Sequence, residues 1–294
     1  MDSSAAVNIA TSSPSPETNA TPFPWITWTA ILSLVAALYA AVLIDLGAEW
    51  WTEDSSSYGM LIPPTALYIA YLRRHITFRL LAQRDALGLW LVALGCLVFL
   101  TGSLAGEFFL SRISFVLLLA GLTWTFWGFG RFKTLAFPFV LLATMVPLPA
   151  IIYNTAAAPL QLFASTIATD LAQTLGVSIY RDGNVIHLAN ASLGVEEACS
   201  GLHSLSALVV ASLLLGFLEQ AAIVGRVLLF VLSVPLAIAV NVVRVTGTAL
   251  LADYRLEFAM GFYHSFSGWL VFVLGFGTLW LVGKLLFRMR RAKP

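Results

Sequence analysis

Eight apolar stretches, most of them long enough to cross a bilayer, constrain this chain more than any other feature of its sequence. A spanning helix needs about 20 apolar residues. Only 11% of the residues are charged, whereas a soluble domain has about 25%. The sequence therefore predicts an all-α membrane protein, a polytopic bundle of about eight transmembrane helices. The predicted spans are residues 25–44, 58–72, 87–105, 113–130, 134–152, 202–218, 227–243 and 269–287.

The second of these stretches, 58–72, is short and contains Pro63 and Pro64, which leaves open whether it forms a full span. The acidic stretch 45–54 before it is expected to be a loop. Residues 1–24 are rich in Ser, Thr, Pro and Ala and have no apolar periodicity. This composition predicts a disordered tail ahead of a transmembrane domain that comprises residues 25–294.

The distribution of basic residues predicts the orientation of the chain, because cytoplasmic loops carry an excess of Lys and Arg. If both termini are cytoplasmic, twelve basic residues lie on the inner side. Only four then lie on the outer side, namely Arg112, Arg181, Arg244 and Arg255. We therefore expect cytoplasmic termini.

The longest segment on the outer side, residues 153–195, is predicted to form a small structured cap. Apolar residues from Leu160 to Leu175 recur with helical spacing, and Gly176 closes the helix, which is typical of an amphipathic helix on a membrane surface. Two short apolar runs then flank Asp182-Gly183, which is a hairpin signal.

A polar island, residues 196–204, joins this cap to the sixth span and contains Cys199, one of two cysteines in the chain. The unpaired N–H groups and the dipole of the helix that follows favour the thiolate form of Cys199. A small residue packed at a helix end is the alternative interpretation. The other cysteine, Cys96, lies mid-span among apolar residues, which favours structural packing.

Arg244 ends the seventh span on the side where the charge rule disfavours a cation. An ionised side chain at mid-depth costs about 2.5–3.5 kcal/mol, so snorkelling to the interface and a functional role are both open interpretations. Asn241 lies three residues earlier on the same helical face and could orient the guanidinium.

Four histidines compete for the role of general base. His75 among cytoplasmic arginines and His187 in the hairpin are expected at the surface. His203 follows Cys199 by one helical turn, and His264 precedes the eighth span on the outer side. Both remain candidates.

The predicted topology brings Cys199, Arg244 and His264 to one membrane face at similar depth. A thiol that attacks, an imidazole that transfers protons and a cation that stabilises an oxyanion are the groups that acyl transfer through a thioester requires. The sequence therefore predicts a catalytic trio. Its expected neighbours are Glu196, Glu197, His203 and Asn241.

Four motifs in this order resemble those of the exosortases and archaeosortases, a family of polytopic membrane enzymes. When the motifs are matched, the family's proposed catalytic Cys, Arg and His fall on Cys199, Arg244 and His264. The residue after Cys-Ser-Gly-Leu, commonly Arg in the family, is His203 here. The motifs are Val146-Pro147-Leu148-Pro149, Glu197-Ala198-Cys199-Ser200-Gly201-Leu202, Asn241-Val242-Val243-Arg244 and His264-Ser265-Phe266-Ser267-Gly268-Trp269.

This resemblance implies a cysteine peptidase or transpeptidase in a bacterial inner membrane, with its site on the periplasmic face. Its substrates would be membrane-anchored proteins with a C-terminal tail that contains a Pro-Glu-Pro-like motif, one transmembrane helix and a basic cluster. The freed chain would pass to water or to a lipid or polysaccharide acceptor. We expect membrane lipids around the enzyme, and no cofactor, metal or nucleic acid.

Two other functions fit the same residues. A non-enzymatic subunit for exopolysaccharide export could use Arg244 in a transport pathway. A membrane acyltransferase acting on lipid carriers could use Cys199 or His264 as its active group.

Overall fold

The computed structural model describes residues 25–53, 56–188, 192–194, 201–219, 222–257 and 262–291. Within them, five helices are long and apolar enough to cross a membrane, which confirms an all-α membrane protein. The helices are α1 (Trp25–Thr52), α2 (Ile62–Leu72), α3 (Arg74–Arg79), α4 (Gly88–Ala105), α5 (Phe108–Ala143), α6 (Ala150–Thr174), α7 (Gly201–Leu218), α8 (Ile223–Tyr254) and α9 (Phe262–Arg291).

The structure divides the predicted spans differently from the sequence. The helix α2, which corresponds to 58–72, has only 11 residues after a 3₁₀ turn at Ser57–Leu61. The fourth and fifth predicted spans form the two arms of α5, which bends at Gly128. Gly128 has φ 82°, and a Cβ there would collide with the carbonyl oxygen of Gln83, so only glycine fits this bend.

The stretch 45–54 was expected to be a loop, and this prediction is wrong, because α1 continues to Thr52. Tertiary contacts hold the additional turns. Glu49 Oε2 lies 2.6 Å from Nη2 of the buried Arg112, and Trp50 Nε1 donates a hydrogen bond to the carbonyl of Met145 (3.1 Å). These partners lie far along the chain and leave no local sequence signal.

The predicted fifth span, 134–152, is wrong at its end, because the helix stops at Ala143. Pro147 and Pro149 follow, and a proline disfavours helical backbone in the residue before it. A new helix, α6, starts directly after Pro149. The amphipathic helix of the cap therefore begins ten residues earlier than Leu160.

The face of α6 that packs against the rest of the protein shares Ala164 with the predicted apolar face. Its buried residues are small, including Ala164, Ala168 and Ala172, whereas Phe163 and Leu175 on the predicted apolar face are exposed. Small residues let helix backbones approach closely in a membrane protein. The large apolar residues of α6 therefore point away from the protein core.

The predicted hairpin is confirmed by two antiparallel strands, β1 (Ile179–Asp182) and β2 (Val185–Leu188). A third short strand, β3 (Ser192–Gly194), pairs with β2 and was not expected. Apolar side chains of this sheet form a core with α6 and with the last turns of α8. Members of this core are Ala168, Ala172, Ile179, Ile186, Leu188, Leu193, Val245, Ala249 and Ala252.

This packing explains why α8 is longer than the predicted span 227–243. Its 32 residues correspond to a length of about 48 Å, whereas the hydrocarbon layer is about 30 Å thick. The turns after Val243 are stabilised by the sheet. Arg244 therefore lies inside a helix and not at its end.

The helices α7, α8 and α9 run alternately up and down. Arg244 of α8 contacts Ser267 near the start of α9, whereas Leu229 near the start of α8 packs on Leu279 late in α9. Leu215 near the end of α7 belongs to the second contact. The starts of α7 and α9 therefore lie together at what we call the Arg244 end, and the end of α7 lies at the opposite Phe217 end.

The helices α4 and α5 approach each other along buried glycines. A Cβ at Gly102 would lie 2.7 Å from the backbone nitrogen of Ser111, and a Cβ at Gly95 would lie 3.0 Å from that of Leu118. Gly88 lies seven residues before Gly95 on the same face and is buried as well. This spacing brings the two backbones close enough for extensive van der Waals contact.

We predict that Gly102→Ala lowers the free energy of unfolding by about 1–3 kcal/mol, because the added methyl group forces the backbones apart. The matched control is Gly277→Ala in α9, where an added Cβ meets nothing within 4 Å. Alanine also has a higher helix propensity than glycine. Thermal unfolding of both variants in detergent measures the effect. An unchanged midpoint for Gly102→Ala would contradict the close approach.

Candidate active site

Arg244 is the best-defined polar group at the Arg244 end, and it is buried with 5% of its surface exposed. Its Nε donates a hydrogen bond to Oγ of Ser267, which is itself buried, at 3.3 Å. A Cβ on Gly268 would lie 3.5 Å from Nη2, so the guanidinium packs directly over this glycine. The contact joins two of the four motifs through residues that lie 23 positions apart in the sequence.

Asn241 has a different environment from the one expected. It is 8% exposed, and its Oδ1 is buried without a hydrogen-bond partner. The nearby hydroxyls of Thr246 and Thr248 both donate to carbonyls one turn earlier in α8. The guanidinium of Arg244 is thus oriented by Ser267 and not by the carbonyl oxygen of Asn241.

The other predicted site residues are described only in part. Cys199, Glu196 and Glu197 lie outside the described residues. His203 is the third residue of α7 and His264 the third residue of α9, and for both only the backbone is described. Whether the thiol, the imidazole and the guanidinium meet stays a prediction.

Among the remaining candidates, His187 lies in β2, where Nδ1 is 2.8 Å from Oγ of Ser192 and the ring stacks on Tyr180. This is the expected strand residue. Cys96 is exposed on α4, and His75 is exposed on α3. Within the part of the chain that the structure describes, no three His, Cys, Asp or Glu side chains are grouped as a metal site would require.

A cluster of hydroxyl groups near the start of α7 was missed by the sequence analysis. The hydroxyl of Tyr58 forms a hydrogen bond with the side chain of Ser206. Burial, and then the nearby Tyr58, raise the pKa of Tyr153 to about 12. The phenol of Tyr153 is therefore protonated at neutral pH and is not available as a base. These residues come from three distant parts of the sequence and share no motif.

The turn that contains Val146-Pro147-Leu148-Pro149 is tied to the same region. Met145 precedes it, and its carbonyl accepts the hydrogen bond from Trp50. Trp50 in turn packs so closely over Gly59 that a Cβ there would collide with the indole. The motif is therefore held by the 3₁₀ turn that also carries Tyr58.

Comparison with known families gives one match, which covers residues 50–281 and includes all four motifs, to the model described as transmembrane exosortase. The chain belongs to the transmembrane exosortase family. No curated protein and no solved structure matches it. Family membership supports a multi-pass membrane enzyme that processes other molecules. For this exosortase, the contact between Arg244 and Ser267 joins two of the regions that carry the resemblance.

We predict that Ser267→Ala lowers the free energy of unfolding by about 1–3 kcal/mol, because it removes the acceptor of a buried guanidinium N–H. The matched control is Ser233→Ala, at an equally buried serine in α8 whose hydroxyl donates only to Phe230 of its own helix. Thermal unfolding in detergent compares the two. Equal losses would show that Ser267 does not hold Arg244.

The exosortase should become more stable when Asn241 is replaced by Leu. The substitution removes a buried carbonyl oxygen that has no partner, which costs about 1–3 kcal/mol, and it keeps a side chain of similar size. The expected result is an increased thermal midpoint. A decreased midpoint would indicate a stabilising contact of Asn241.

Proposed function

We propose that this exosortase is a cysteine peptidase or transpeptidase that cleaves membrane-anchored proteins near a C-terminal sorting tail. The observation that carries the proposal is the buried Arg244, bonded to Ser267 three residues after His264. A buried cation is costly in a membrane protein and is usually functional. The family match over the motifs of all three proposed catalytic residues agrees with this assignment.

In the proposed reaction, the thiolate of Cys199 attacks the carbonyl carbon of the scissile peptide bond. The tetrahedral oxyanion is stabilised by the guanidinium of Arg244. The C–N bond then breaks, a thioester forms on Cys199, and His264 donates a proton to the leaving amine. An acceptor amine, hydroxyl or water attacks the thioester, and His264 takes the proton from that nucleophile.

The fixed position of Arg244 suits this role. Its Nε is used in the bond to Ser267, and this bond sets the direction of the guanidinium fork before a substrate arrives. Donors that are oriented in advance stabilise a developing charge without the cost of reorganisation. Glu196, Glu197 and His203 are the neighbours that we propose to adjust the trio.

The charge distribution supports a site on the periplasmic face of a bacterial inner membrane, with both termini cytoplasmic. Arg73 and Arg226 both contact Phe217, so basic residues gather at the end opposite Arg244. At the start of α5, by contrast, Arg112 is paired with Glu49. In this orientation, the basic Phe217 end faces the cytoplasm, as the positive-inside rule requires.

Two alternatives make different demands on the same residues. A non-enzymatic subunit for polysaccharide export would need Arg244 and tolerate the loss of Cys199. A membrane acyltransferase would need the thiol or His264, but it would leave the length of peptide substrates unchanged. The family match over all four motifs favours the peptidase.

The test uses a reporter protein with a C-terminal tail of a Pro-Glu-Pro motif, a transmembrane helix and a basic cluster, expressed with the exosortase. We expect Cys199→Ala to abolish cleavage, so that full-length reporter accumulates in the membrane. The matched control is Cys96→Ala, which removes the other cysteine, exposed on α4, and should leave cleavage intact.

Mass spectrometry of the reporter and of the enzyme separates the alternatives. A covalent adduct on Cys199 that hydroxylamine releases identifies the thioester. Cleavage by the Cys199→Ala variant would overturn the proposal. A reporter of unchanged peptide length with an added acyl group would favour the acyltransferase.

A further inference from the structure

Two arginines converge on one aromatic ring at the Phe217 end. The Cζ of Arg73, just after α2, lies 4.5 Å from the ring centroid of Phe217, and the Cζ of Arg226, in the first turn of α8, lies 5.9 Å from it. Phe137 stacks on Phe217 at 3.9 Å with an interplanar angle of 6°, so it covers one face of the ring. The two cations therefore share the remaining side.

Both arginines are held in place by other contacts. Arg73 Nη1 donates to the carbonyl of Thr134 at 3.2 Å. The aliphatic stem of Arg226 packs on Gly216, where an added Cβ would lie 3.2 Å from its Cγ. Burial, and then the charge of Arg226, lower the pKa of Arg73. An anion that binds between two arginines offsets their mutual repulsion and accepts charge-assisted hydrogen bonds from both.

An apolar groove runs along α7 and reaches Leu218, the last residue of this helix, at the Phe217 end. Leu214 and Leu218 line it at the Phe217 end of α7, and Ala207 and Tyr58 line its other end. Its remaining walls come from α2, α5 and α9. The groove has a volume of about 360 Å³, which holds about twelve methylene groups if each takes the 30 Å³ of a water molecule.

The length of the groove distinguishes between the apolar ligands that a membrane offers. Along α7 it extends from Ala207 to Leu218, which is about 16 Å at 1.5 Å per residue. This equals about half of the 30 Å hydrocarbon layer, the depth of one leaflet. A transmembrane helix would need a groove of twice this length, whereas about twelve carbons of one acyl chain fit.

We propose that the exosortase binds one anionic phospholipid, with its phosphate between Arg73 and Arg226 and one acyl chain in the groove along α7. The phosphate lies where apolar α7 ends, and the chain extends toward the Arg244 end. The lipid would thereby fill the space between α2, α7 and α9. This binding is independent of the proposed catalytic reaction.

Native mass spectrometry of the purified full-length protein tests the proposal with dioleoyl phosphatidylglycerol and dioleoyl phosphatidylcholine in competition. We expect one bound phosphatidylglycerol and a preference of about thirtyfold over phosphatidylcholine. Each arginine near the membrane surface increases the binding constant of the anionic lipid about fivefold. The double variant Arg73→Gln/Arg226→Gln should lose the preference. The control Lys133→Gln, at an exposed lysine in α5, should keep it.

A single variant covers the case in which the double variant does not fold. Arg226→Gln leaves the bond between Arg73 and Thr134 intact and should reduce the preference about fivefold. Ala207→Leu fills the far end of the groove. It should weaken binding of the dioleoyl lipid. Binding of phosphatidylglycerol whose acyl chains have six carbons should be unchanged.

Three results would overturn the proposal. The first is equal binding of both lipids by the wild-type protein. The second is an unchanged preference for phosphatidylglycerol in the arginine variants. Displacement of the lipid by millimolar inorganic phosphate, with no effect of Ala207→Leu, would assign the arginines to a free anion.

Discussion

The absence of water in a bilayer governs how this chain treats its few buried cations, since a buried charge needs a partner inside the protein. Arg244 shows the constraint most clearly, because its Nε reaches Ser267 on a different helix. Arg112 meets the same requirement through Glu49. Such bonds connect helices that apolar packing alone would leave free to slide, since lipid and leucine are equally apolar. Polar pairs therefore fix the register of the bundle, and with it the site.

Small residues perform the complementary task of bringing backbones together. The glycines of α4 lie against the backbone of α5, and the alanines of α6 lie against the sheet and α8. Large apolar residues such as Phe163 remain on the outside. Large apolar residues therefore lie on the outer surface as well as in the core, whereas in a soluble protein they are concentrated in the core.

The fold was predictable where the signal is local. Apolar length predicts α4, α7 and α9, and Asp182-Gly183 predicts the hairpin. The sequence failed where distant partners decide, as in residues 45–52, whose helix depends on Arg112 and Met145. Arg244 was recognisable from its unfavourable position, but the role of Ser267 was not, because its partner lies 23 residues away. Tyr58, Tyr153 and Ser206 have no shared pattern at all.

The length of α8 has a mechanical consequence. One uninterrupted helix contains Arg244 and, in the turns after it, the residues that support the three-stranded sheet. A helix is stiff along its axis, so a displacement of the sheet would also displace the backbone of Arg244. The position of the sheet and the position of Arg244 are therefore coupled through α8.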